Sequence, residues 1–184
     1  MTREDFMRIV SKNIEVVEGV QAEVALYGEK IIDLTITKDD VLGMPFQATK
    51  TIINNVSVFD ESYEKMTLRD NIIENTVVKS TAFLNLDVYD SGFYNCTFDS
   101  VTFYKYDTIS KSLFEDCTFK NCIFEGCDMN DNSFNDCTFE GCTFGYCDFE
   151  DSRFKKTEII ETVFEKCNHL EFSEDFVFTV TTAK

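Results

Sequence analysis

The sequence predicts an all-β solenoid in which the chain turns at every fifth residue and stacks coil upon coil. Three observations carry this. From Phe114 onward a bulky apolar residue falls at every fifth position: Phe114, Phe119, Phe124, Met129, Phe134, Phe139, Phe144, Phe149, Phe154, Ile159 and Phe164. Two places before each sits a small residue, running Ser112, Cys117, Cys122, Cys127, Asn132, Cys137, Cys142, Cys147, Ser152, Thr157 and Thr162. Two places after come types that suit tight turns, among them Asp116, Asn121, Gly126, Asp131, Asp136 and Gly141. A period of five fits neither a helix, where it would scatter the large residues around the circumference, nor a straight strand, where an odd step alternates faces. The chain must therefore bend at each unit, and stacking lets neighbouring coils bury together what one coil cannot.

The array extends upstream in a fainter form, on a frame shifted by one residue: Ile53, Val58, Tyr63, Leu68, Ile73, Val78, Phe83, Val88, Phe93, Phe98 and Phe103. Phe103 and Ile109 are separated by one residue too many, which places an insertion between Tyr104 and Thr108. The large residue preceded two places earlier by Cys, Ser or Thr resembles the repeat of the pentapeptide-repeat family, most clearly from Ser112 to Lys166. The resemblance implies a right-handed quadrilateral β-helix with four units per coil. On that geometry Phe114, Phe134 and Phe154 form one ladder, Phe124, Phe144 and Phe164 a second, and Phe119, Phe139 and Ile159 a third, with Phe149 on the remaining side. Each buried ring contributes roughly 1.5–3 kcal/mol by transfer from water. Coils at strand spacing from about residue 51 make a rod of roughly 28 Å.

Three regions follow. Residues 1–50 are expected to form a short N-terminal helix and an irregular cap or first coil, residues 51–168 the β-helix, and residues 169–184 a C-terminal strand or tail. Phe6, Val10, Ile14 and Val17 share one face of a helix expected from about Arg3 to Glu18, with Thr2 and Asp5 spaced as a capping box. Ala22 to Thr37 reads as one or two strands turning near Gly28, and Asp175 to Thr182 alternates as a strand able to pair with the last coil or a second copy. Such ends protect the open edges of a solenoid.

Composition narrows the function. Seventeen basic residues against 34 acidic ones give a net charge of −17, which repels nucleic acid and anionic membranes and favours basic partners. The charged N-terminus and the absence of a long apolar run point to a cytoplasmic protein with reduced thiols. The cysteines are spaced by the repeat and not as the short pairs of a zinc site, so they read as small apolar filler, and no metal or other cofactor is expected. His169 is the only histidine and has no evident nucleophile beside it. With no phosphate-binding loop or metalloprotease motif, the chain does not read as an enzyme.

One face collects acid: Asp70, Asp87, Asp90, Asp128, Asp131, Asp148, Glu150 and Asp151, interrupted by Arg69 and Lys111. This is the candidate interaction face. Two readings stay open: a structural or protein-interaction module with a solubilising acidic stripe, or an acidic DNA mimic. The second is what the resemblance implies, since some family members occupy the DNA site of DNA gyrase or another type II topoisomerase. The expected partner is therefore a protein, whether gyrase, another DNA-binding protein or an unrelated one, without direct contact to nucleic acid or membrane. Resembling proteins also dimerise through their C-terminal ends, which makes a homodimer a further expectation.

Overall fold

The computed structural model of the chain describes residues 1–15, 22–37, 40, 44–59, 62, 63, 65–105, 107–172 and 177–179. It is a parallel β-solenoid of about seven coils with one short N-terminal helix. Each regular coil has four short sides, and the central residue of each side points at the axis. The first face carries Leu26, Ala48, Leu68, Val88, Ile109, Met129 and Phe149 inward, and the second Ile31, Ile53, Ile73, Phe93, Phe114, Phe134 and Phe154. The third carries Ile36, Val58, Val78, Phe98, Phe119, Phe139 and Ile159, and the fourth Tyr63, Phe83, Phe103, Phe124, Phe144 and Phe164.

Parallel pairing in register places like above like. Phe114, Phe134 and Phe154 stack at 4.9 Å between centroids, and Phe124, Phe144 and Phe164 at 4.4 and 4.8 Å. Phe119 lies 4.6 Å above Phe139, and Ile159 follows it in register. Neighbouring columns meet edge to face, as Phe134 with Phe139 at 5.5 Å, so the rings interlock along and across the axis. Phe164 is only partly buried because it lies at the end of its column, where the half-exposed Phe172 lies 5.8 Å from it.

The corners explain the composition of the third outward position. Nearly every coil turns on a left-handed residue, for example Asp116 at φ 54°, Asn121 at 51°, Asp131 at 58° and Gly141 at 63°. Asn and Asp tolerate this region best among residues with a side chain. The corner N–H then bonds to the next coil, as Asn121 to the Glu140 carbonyl at 2.8 Å. The small residues face inward beside the corners. Cys117 donates its thiol to the carbonyls of Phe93 and Glu115, and Cys137 to those of Phe114 and Asn135, all within 3.4 Å.

Between the first and second faces the small column is polar instead: Thr51, Asn71, Ser91, Ser112, Asn132 and Ser152, every one of them buried. From Asn71 onward each side chain accepts the backbone N–H of the residue one coil earlier, Asn71 that of Thr51 at 2.9 Å, Asn132 that of Ser112 at 3.0 Å and Ser152 that of Asn132 at 2.9 Å, while the Thr51 hydroxyl donates to the Thr49 carbonyl. Full pairing is what makes this spine tolerable inside the tube.

Two coils are longer than twenty residues, and both deviations are resolved the same way. The register from Ile31 to Ile53 spans 22 positions, and from Phe93 to Phe114 it spans 21. In each, a buried aspartate closes the extra turn. Asp40 accepts the Thr37 N–H at 2.8 Å, and Asp107 accepts the Tyr104 N–H at 2.9 Å. Asp107 also receives the Leu86 N–H at 2.8 Å, and Asp40 meets the Arg3 guanidinium at 2.7 Å.

The N-terminal helix runs Arg3–Lys12, with Thr2 and Asp5 forming the capping box. It buries Phe6 and Val10. It is shorter than its apolar spacing suggested: Asn13 caps it, and Ile14–Glu15 pairs antiparallel with Glu23–Tyr27. A β-branched residue such as Ile14 prefers a strand once an edge is available to pair with, whereas Val17 lies outside the described residues. Strands Glu23–Tyr27 and Lys30–Ile36, turning at Gly28 with φ 68°, already stack in register on the coils below, so the solenoid begins ahead of residue 51. At the other end Val177–Thr179 pairs parallel with Glu158–Ile160, while residues 175, 176 and 180–182 lie outside the described residues.

Phe139 is fully buried and meets Phe119, Phe134, Phe144 and Phe154. Phe139→Ala should lower the unfolding free energy by about 3–5 kcal/mol. Denaturant titration should show a much smaller loss for Phe172→Ala, whose ring is 39% exposed.

Candidate interaction face

The acidic residues of the first face fall into two groups. Along the upper coils Asp70, Asp87 and Asp90 share the surface with Lys50, Arg69 and Lys111. These cations are held by aromatic rings. Lys50 donates to the Tyr27 hydroxyl at 3.2 Å, Lys111 to that of Tyr89 at 2.9 Å, and Arg69 lies 5.3 Å from the Tyr89 ring centre. The bond to Tyr89 raises the pKa of Lys111, helped by Asp131 and Asp90.

In the two lowest coils the acid is uninterrupted. Asp128 and Asp148 are bridged partners in the same column, and Asp131 and Asp151 occupy successive left-handed corners at φ 58°, with Glu150 between. The backbone fixes their carboxylates. Asp128 accepts the Asn130 N–H at 3.2 Å, and Asp148 accepts the Glu150 N–H at 3.3 Å. Two unit charges about 5 Å apart in water repel by roughly 0.8 kcal/mol, so the grouping is mildly unfavourable by itself. Within this group Asp131 has Lys111 one coil above, and on the other faces acids form ion pairs with cations one coil away: Lys79 with Asp99 at 3.2 Å, Lys120 with Glu140 at 3.0 Å and Lys156 with Asp136 at 3.6 Å.

His169 closes the lower end of this patch. Its Nδ1 lies 2.7 Å from Asp148 Oδ1, and that contact raises the imidazole pKa above its ordinary 6.5, with Glu150 and Asp151 adding to the effect. Sequence spacing gave no hint of the contact, because it requires a left-handed His169 at φ 50° folding back one coil.

The buried titratable groups are of a different kind. All eight cysteines are free, and the seven from Cys96 to Cys147 are buried. The Cys117 thiol is pushed up to about 12 by the neighbouring Cys137 thiol, against the opposing effect of Cys96 and with burial adding a smaller amount, which keeps it from acting as a thiolate nucleophile. Asp107 is raised from 3.8 to about 6 by burial, against the lowering effect of its two backbone donors. Neither Asp40 nor Asp107 stood out as a buried residue in the sequence. For Asp107 the available signal was an aspartate two places before Ile109, where the repeat otherwise places a small or apolar side chain. Among the described residues no group of three or more His, Cys, Asp or Glu is placed to hold a metal ion.

A four-sided tube of stacked five-residue units with a flat, charged outer face defines the class of solenoid repeat proteins. Residues 114–168 match the family model of pentapeptide repeats (nine copies). Solved structures of low similarity include HetL, a pentapeptide repeat protein involved in heterocyst differentiation regulation from the cyanobacterium Nostoc sp., at 6% identity and a TM-score of 0.34, covering 83% of this chain and 86% of that one. Full-length QnrB1, a plasmid-mediated fluoroquinolone resistance protein, aligns at 10% identity and a TM-score of 0.25, covering 82% and 94%. Rfr23, a pentapeptide repeat protein from the cyanobacterium Cyanothece, aligns at 12% identity and 0.22, covering 84% and 88%. No curated protein matches the sequence.

Because the Asp107 pKa is raised on folding, its contribution to stability is greatest below about pH 4 and declines as pH rises towards 6. Urea titrations across that window should show a steeper loss for the wild type than for Asp107→Asn, whose amide stays neutral throughout. For His169 the sign is also that of a raised pKa: its bond to Asp148 is strongest when the ring is charged and fades as pH rises through the folded pKa. An NMR titration should place the midpoint above 6.5, and Asp148→Asn should return it towards that value.

Proposed function

We propose that the chain is a non-enzymatic protein-interaction module that docks a basic protein surface on the lower part of its first face. The observation that carries this reading is the grouping of Asp128, Asp131, Asp148, Glu150 and Asp151 on two successive coils, while the upper acids of the same face alternate with ring-held cations. A rigid β surface holds these charges in place, so the partner meets a preorganised field that speeds encounter and fixes orientation. The eight free thiols support work in a reducing compartment, the cytoplasm.

The alternative is an acidic DNA mimic for DNA gyrase or a related topoisomerase, favoured by the net charge of −17. A mimic of duplex length needs carboxylates along the rod, and Lys50, Arg69 and Lys111 interrupt them. Two coils cover about 10 Å, the rise of roughly three base pairs. The docking reading therefore explains the charge distribution better.

A lysine-rich peptide titrated against the isotopically labelled protein should move the amides of 128–131 and 148–151 before those of the upper coils. Changing Asp128, Asp131, Asp148 and Asp151 to Lys should weaken binding at least tenfold without changing the circular dichroism spectrum. Equal perturbation of every face, or unchanged affinity in the variant, would refute the reading. Inhibition of gyrase supercoiling that is lost in the same variant would favour the mimic instead.

A further inference from the structure

The width of the tube is set by its backbone. Every side of every regular coil has the same number of residues and is hydrogen-bonded in register to the next, so the wall cannot draw in where inward side chains are small. In the lower half this makes no difference. The coil of Met129, Phe134, Phe139 and Phe144 and the coil of Phe149, Phe154, Ile159 and Phe164 each bring three rings and one long aliphatic chain to the axis. In the upper half the wall is the same and the filling is not. The coil of Leu68, Ile73, Val78 and Phe83 has one ring, and so has that of Ala48, Ile53, Val58 and Tyr63.

Two independent features record the shortfall. A cavity of about 100 Å³ runs along the axis, bordered by Ile53, Val58, Ile73 and Val78 in the poorly filled coils and reaching down to Phe93 and Phe114. The ring column of the fourth face also loosens as it climbs into this region. Its centroid spacing goes from 4.4–4.8 Å in the lower coils to 5.6 and 5.8 Å above, and the tilt between rings from 3–8° to 18–23°. Rings with no lateral neighbours of their own kind are not held in close parallel contact.

The lining is almost wholly apolar, with Tyr63 contributing the one polar group on a ring. Its one non-aromatic polar residue, Thr76, donates its hydroxyl to the Glu74 carbonyl at 3.0 Å. A water molecule needs two to four polar partners, and comparable spaces of about 150 Å³ lined by Leu, Ile and Phe stay dry and bind benzene or xenon. An unfilled space of this kind also forfeits dispersion contacts that a suitable guest would restore.

We propose that the upper half of the solenoid is a binding site for a small, non-hydrogen-bonding apolar molecule, of the class of short aliphatic hydrocarbons, held on the axis of the tube. The guest takes the place of the phenylalanine rings that fill the same position in the coils below. The site lies inside the rod and is independent of the acidic face, so the two can be tested separately.

Xenon under pressure is the probe. In methyl-resolved NMR it should shift the resonances of Ile53, Val58, Ile73 and Val78 saturably, and leave the buried Ile159 of the filled half and the exposed Ile123 unmoved. Val78→Phe adds one ring to the top of the Phe98, Phe119 and Phe139 column, and Ile73→Phe does the same for the column headed by Phe93. At least one should fold, melt higher than the wild type and lose the xenon shifts. The proposal is overturned by an absence of saturable shifts in the wild type, or by shifts that persist in a folded filled variant. Melting temperatures lowered in both variants would also overturn it, since the space would then already be occupied.

Discussion

The hydrogen-bonded ladder between coils is the constraint to which the rest of the molecule answers. It fixes the diameter of the tube and the spacing of its walls independently of the side chains, and each inward position must then fill a volume it had no part in setting. Phenylalanine suits this geometry because a flat ring can stack on the coil beneath while presenting an edge to its neighbour on the same coil, as Phe134 does with Phe154 and Phe139. Cysteine suits the adjacent position because it is small, apolar and able to donate weakly to two carbonyls at once, as Cys117 does. Both preferences follow from the width of the wall.

The same constraint explains what could be read in the sequence. A wall with a strict period prints that period on the chain, and the array from Phe114 to Phe164 was legible because large and small residues alternate without interruption. The insertion after Phe103 was legible as a change of frame. How the coil absorbs it was not, since one aspartate in an inward slot looks like an error in the repeat until Asp107 is seen accepting the N–H groups of Leu86 and Tyr104. The helix was overextended because its apolar spacing continues past Asn13, and spacing alone does not reveal that a strand edge waits for Ile14.

The acidic face was legible in part. Projection at the coil length brings Asp128 beside Asp148, and the structure has them as bridged partners. What projection could not supply was the environment of the cations. Lys50, Arg69 and Lys111 are anchored by Tyr27 and Tyr89 on other coils, and those contacts divide one apparent stripe into a mixed upper region and an acidic lower one. His169 joins the lower region through a backbone conformation that no spacing rule foretells. Charge patterns on a solenoid are two-dimensional, and the second dimension depends on side-chain reach.

The uneven filling of the tube has a mechanical consequence. Hydrostatic pressure favours whichever state has the smaller volume, and internal voids are the main volume a folded chain surrenders on opening. Here that volume lies on the axis between the upper coils, while the lower coils are close-packed ring on ring. Compression would therefore open the rod from its aliphatic end and leave the phenylalanine columns standing last, giving a molecule of near-uniform outline a soft end and a hard one.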